Sequence, residues 1–149
     1  MDLWRLYRAA HGPGLDGSGG LRAAGRWHRL GRRVVHFGAT PAIVVVEKLA
    51  HVNPGVLPDD LLLGRFVGEP SVELITEPLD VAELTASRER GERFLNAARA
   101  CALRVPSVIL PEESNYMVNA LHPEIAAIRL VSERPFYFDE RLIRPSGPG

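Results

Sequence analysis

A chain of 149 residues with 46% hydrophobic and 24% charged residues has the size and composition of one globular domain, which excludes intrinsic disorder, collagen-like sequence and a coiled coil. Its 18 basic and 18 acidic residues cancel, and this removes the simple electrostatic case for a nucleic-acid binder. A single cysteine, Cys101, excludes an internal disulfide and a cysteine-rich zinc site.

The first ten residues carry Asp2, Arg5 and Arg8 without the apolar run of a secretory signal. No segment approaches the ~18 apolar residues of a membrane span, so the expectation is a cytoplasmic protein. Leu3 to Tyr7 predicts a first strand, followed by a glycine-rich loop from Gly12 to Gly20. Residues 1–33 hold seven arginines (Arg5, Arg8, Arg22, Arg26, Arg29, Arg32, Arg33) against Asp2 and Asp16, whereas residues 59–92 hold nine acids against three arginines. Either the two segments are solvated faces of opposite sign, or an anionic ligand meets the first of them. Val34 to Phe37 predicts a short strand between Gly31 and Gly38. Thr40 before Pro41 is a helix-start signal, because the threonine oxygen accepts from free amides and proline is tolerated in the first turn. The helix is expected to reach about His51. Two strands, Leu61 to Val67 and Val72 to Thr76, precede a charged helix from about Ala86 to Leu103. The last third offers a strand at Ser107 to Leu110, a loop through Asn115 and Asn119, strands near Ala127 to Val131 and Phe136 to Phe138, and a frayed tail from Arg144 to Gly149. Strands that do not alternate regularly with helices predict a single α+β domain with a mixed β core, running from about residue 3 to 143.

Glu47 is the first chemically placed residue. It follows Ile43 by four positions and Val44 by three, so on a helix it shares their apolar stripe and points inward. A carboxylate there is costly unless it is paired or useful. His51, one turn later, reads as a satisfied or partly exposed histidine. The second cluster is Gly25-Arg26-Trp27-His28. Its arginine either grips phosphate with its planar fork or packs against Trp27, and His28 and the arginines beyond it read equally as exposed turn residues. The third runs from Val105 to Asn119. A serine heading a buried strand, Ser107, can hydrogen-bond a neighbouring carboxylate, and the two asparagines suggest a loop tied by side-chain bonds. No serine sits in a nucleophile elbow. The five histidines lack metal-ligand spacing, so no metal is expected.

Taken together these clusters resemble the RES domain, the toxin half of Xre-RES toxin–antitoxin pairs. The resemblance rests on Trp4-Arg5, Gly25-Arg26-Trp27, the Val-Val-His-x5-Ala-x4-Glu pattern ending at Glu47, Pro106-Ser107 with Asn115 and Asn119, and Phe138-Asp139-Glu140-Arg141-Leu142. It implies an ADP-ribosyltransferase-like fold with an NAD+ cleft, and it places the family's name residues on Arg26, Glu47 and Ser107. It also implies that His36, where the family usually has tyrosine, and His28, where asparagine is common, lie in that site with Trp27. His36 then stacks on or hydrogen-bonds the nicotinamide ribose, or serves as an acid–base group near neutral pH.

The function implied is NAD+ cleavage at the nicotinamide–ribose bond, by hydrolysis or phosphorolysis, which depletes NAD+ and arrests growth. Arg26, His36, Ser107, Trp27 and His28 are the NAD+-binding candidates; Glu47, Arg26, Ser107 and His36 are the catalytic ones. The same site serves a mono-ADP-ribosyltransferase acting on a protein. A noncatalytic binding module, with Glu47 and Arg26 as a buried ion pair, is the reading from another class. The expected partner is an Xre-type helix-turn-helix antitoxin in a hetero-oligomer, with no nucleic-acid binding by this chain alone.

Overall fold

The structure is a computed structural model that describes residues 1–143; the tail expected to fray, 144–149, lies outside the described residues. Among the described residues seven strands form one sheet: β1 (Asp2–Arg8), β2 (Val34–Gly38), β3 (Leu61–Val67), β4 (Val72–Glu73), β5 (Ala102–Pro106), β6 (Ser114–Asn119) and β7 (Arg129–Phe136). Their spatial order is β4-β5-β6-β2-β1-β3-β7. The β4–β5 pair is parallel and every other neighbour antiparallel, so the mixed sheet of the α+β expectation is present. Four helices accompany it among the described residues, α1 (Ser18–Arg22), α2 (Pro41–Leu49), α3 (Leu84–Ala97) and α4 (Glu140–Ile143), with a 3-10 turn at Pro123–Ala127.

Both faces of the sheet are covered. Side chains alternate across a strand, and in β2 Val35 and Phe37 join one core with Leu3, Tyr7 and Phe66, while Val34 joins another with Trp27, Leu103, Val105, Met117 and Phe94 and Leu95 of α3. His36 therefore shares the α3 side of the sheet with Val34 and with Met117, its register partner on β6.

Helix α2 begins as its sequence requires: Thr40 Oγ1 accepts the Ile43 amide at 3.2 Å and Pro41 fills the first turn. It comes close to β2 because residue 38 is glycine. A Cβ there would lie 2.5 Å from Val44 Cγ2 and 2.8 Å from Ile43 Cγ2.

Several expected elements are displaced. The helix expected to reach Leu103 stops at Ala98, whose left-handed φ of 52° ends it. The alanine-rich run after it favours helix locally, yet Ala102, Leu103 and Val105 are buried as strand β5, beside β4 and β6. Ser107 to Leu110 is a turn, not a strand, and leaves Val108, Ile109 and Leu110 exposed. Asn115 and Asn119 stand at the two ends of β6, not in a loop, with Tyr116, Met117 and Val118 buried between them. The two strands expected near Ala127 and Phe136 are one, β7, paired along β3 with a register shift between Arg65 and Phe66. The Val72 to Thr76 strand keeps only its first two residues, and the glycine-rich loop contains α1.

Candidate active site

Helix α2, strand β2, the turn at 25–28 and the ends of β5 and β6 enclose a cleft of about 770 Å³, within the ~300–1,000 Å³ range of small-molecule sites. Trp4, Arg26, Trp27, His36, Glu47, Val108, Ile109 and Asn115 contribute to its wall. A smaller groove of about 420 Å³ runs past Leu74, Leu79 and Arg104. Its carboxylate, Glu77, is already engaged by Arg90.

Glu47 lies on the inward stripe of α2 as its spacing predicts. Its Oε1 accepts the Ser107 hydroxyl at 2.6 Å and the Asn115 amide at 3.1 Å. Ser107 is 1% exposed, and its Oγ also accepts the backbone amides of Ile109 and Leu110, each at 3.1 Å. That is why residues 107–110 turn: the hydroxyl offers the backbone an alternative to the strand ladder. Glu47 and Arg26 form no ion pair among the described residues, which removes the geometry of the noncatalytic reading. Arg26 Nη1 instead donates to the Val81 carbonyl at 3.0 Å.

The 25–28 turn closes through a Gly25 amide to His28 carbonyl bond of 3.1 Å and is clamped by α3. Arg88 Nε donates to the Gly25 carbonyl at 3.0 Å, the Arg29 amide donates to Glu92 at 3.1 Å, and Gly91 lets the helix lie against the Trp27 carbonyl. Trp27 is 5% exposed and belongs mainly to the core. His28, read from sequence as a possible exposed turn residue, is 3% exposed and does not line the cleft. It stacks behind His36 with ring centroids 5.3 Å apart, its Nδ1 3.1 Å from the Arg29 carbonyl.

Burial, then His28 and Arg5, push the His36 imidazole down to about 3. Burial likewise lowers His28. The charged form of His36 is therefore disfavoured, and the side chain meets the cleft as a neutral imidazole near pH 7. Arg5 also lines the cleft, with Nη1 on the His36 carbonyl at 3.0 Å and Nε on the Pro13 carbonyl at 2.8 Å, so it ties the glycine-rich loop to β2.

Sequence reasoning missed Asn115 as a Glu47 partner and α3 as the clamp of the Arg26 turn. The apolar run Tyr-Met-Val between two asparagines was the available signal that this segment is a buried strand and not a loop; nothing local signalled the second. Among the described residues no three His, Cys, Asp or Glu side chains are grouped to hold a metal ion, and no helix is long and apolar enough to cross a membrane.

Comparison with known proteins agrees with the fold and extends it. Residues 2–139 match the family described as RES domain. A Pseudomonas putida protein named Toxin Res is 35% identical over an alignment covering 95% of this chain and 99% of that protein. A Sphingobium protein named Prs ADP-ribosylating toxin is 30% identical, covering 95% of this chain and 96% of its own. The crystal structure of the M. tuberculosis MbcT-MbcA toxin-antitoxin complex superposes with a TM-score of 0.71 at 16% identity, over 91% of this chain and 84% of that one, a likeness of fold.

Proposed function

The chain belongs to the RES domain family, and from that premise we propose that it is the toxin of a toxin–antitoxin pair whose cleft binds NAD+ and breaks the bond between nicotinamide and ribose. The observation that carries this reading is Glu47, a carboxylate held by two donors on the wall of a cleft that Arg26 also enters.

When that bond breaks, its electron pair goes to the nicotinamide nitrogen and positive charge gathers on the ribose, as in an oxocarbenium ion. A preorganised carboxylate beside the ribose stabilises this charge where it develops. Nicotinamide starts as a pyridinium and leaves neutral, so it needs no proton from the enzyme, and the neutral His36 suits this departure. Arg26 offers the diphosphate a two-pronged contact, and binding energy spent there positions the reacting carbon. Ser107 orients Glu47 and is not itself the nucleophile, since its proton goes to Glu47 and its lone pairs to two amides.

The acceptor is water or inorganic phosphate. Transfer to a protein side chain is the second reading, favoured by the name of the Sphingobium relative; labelled NAD+ distinguishes the two, because transfer leaves label on protein. An enzyme that empties its own cell of NAD+ requires an inhibitor, here an antitoxin of the Xre helix-turn-helix type. The test is NAD+ consumption by the purified chain. Glu47→Gln keeps the shape and removes the charge, and it is expected to slow consumption by about 100- to 1,000-fold, the cost of losing one preorganised electrostatic group. Near-full activity in Glu47→Gln would make Glu47 structural.

A further inference from the structure

We infer that Asn115 is a positioning residue for Glu47, holding the carboxylate jointly with Ser107 by one oxygen so that the other is presented to the substrate. The two donors converge on Oε1, and among the described residues Oε2 accepts no bond from the protein. They come from adjacent strands. Ser107 follows the last residue of β5 and Asn115 stands opposite Val105 near the start of β6, so the sheet itself fixes the spacing between them.

The second register partner of Asn115 explains how Glu47 reaches them. Asn115 lies opposite Gly38 of β2, the glycine against which α2 packs. A side chain at 38 would push α2 away and draw Glu47 off both donors. The chemistry also favours an amide at 115. A carboxylate accepts only, and a second carboxylate would repel it, whereas an amide donates to one oxygen without adding charge. With Oε1 occupied, the carboxylate cannot rotate about its last bond without breaking two hydrogen bonds, so Oε2 keeps one direction as charge grows on the ribose.

This inference rests on the NAD+ reading above, and its experiment separates the two. Asn115→Ala is expected to lower kcat for NAD+ consumption by about ten- to hundredfold, the range for one lost hydrogen bond to a charged group, with KM changed much less because Arg26, the proposed diphosphate contact, is intact. Asn115→Asp, nearly the same shape, puts a like charge beside Glu47 and is expected to move the acid limb of the pH profile to higher pH. Carbon-13 NMR of the Glu47 carboxyl supplies a readout that needs no activity: its titration is expected to move upward in Asn115→Asp relative to the unsubstituted chain. If the unsubstituted chain consumes no NAD+, the NAD+ reading fails while the NMR comparison still tests whether residue 115 meets the Glu47 carboxyl. A Glu47 signal that titrates identically in both proteins, or an Asn115→Ala enzyme with unaltered kcat, would overturn the inference.

Discussion

His36 shows how strongly a single side chain depends on its surroundings. In sequence it is a histidine in a strand; in the fold it lies against His28 and near Arg5, and its charged form is disfavoured. The consequence for stability has a definite sign. A folded-state value of about 3 against 6.5 for the free side chain means that the unfolded chain binds more protons between those limits. Stability is thus fully present above about pH 6.5 and falls as pH drops below it, by at most about 1.4 kcal/mol per pH unit for this group. His28 acts in the same direction. Urea unfolding midpoints at pH 7 and pH 5 measure the effect: His36→Phe is expected to lose less stability over that interval than the unsubstituted chain, and equal losses would show that His36 titrates normally.

At the scale of elements, α3 governs where Arg26 points. The turn that carries Arg26 has no regular structure of its own and is held by Arg88, Glu92 and the open face of Gly91. A Cβ on residue 91 would fall 1.6 Å from the Trp27 carbonyl oxygen, a backbone contact that no rotamer relieves. Gly91→Ala is therefore expected to destabilise the fold by about 1–3 kcal/mol or more, the cost of overpacking, and to weaken NAD+ binding by displacing Arg26. An unchanged denaturant midpoint would remove α3 from this role. The sequence already announced α2, because its cap, its proline and its apolar stripe all act within a few residues. It did not announce where α3 ends, since the run after Ala98 favours helix locally and becomes strand only because β4 and β6 bury it.

At the scale of the whole molecule, the sheet leaves two edges, and both are blunted. One is the two-residue β4; the other, β7, carries Arg129, Glu133, Arg134 and Pro135, which discourage pairing with another strand. The cleft offers a route for an inhibitor, and a carboxylate at the end of an antitoxin tail would pair with Arg26 in the place proposed for the diphosphate. Trimming the last few residues of the antitoxin is expected to restore NAD+ breakdown in the purified pair; complete inhibition by the trimmed protein would place the block elsewhere. The sequence by itself determined the domain's class, the strands β1, β2 and β3, helix α2, and Glu47, Arg26 and Ser107 as the residues of interest. Each of these follows from side-chain period, a cap or a motif, which are properties of neighbours along the chain. Only the tertiary structure decided that Asn115 meets Glu47 from 68 positions away, that His28 backs His36, and that Ser107 heads a turn. Those outcomes depend on which strands lie side by side, and strand order is set by burial across the whole sheet, which no local stretch of sequence records.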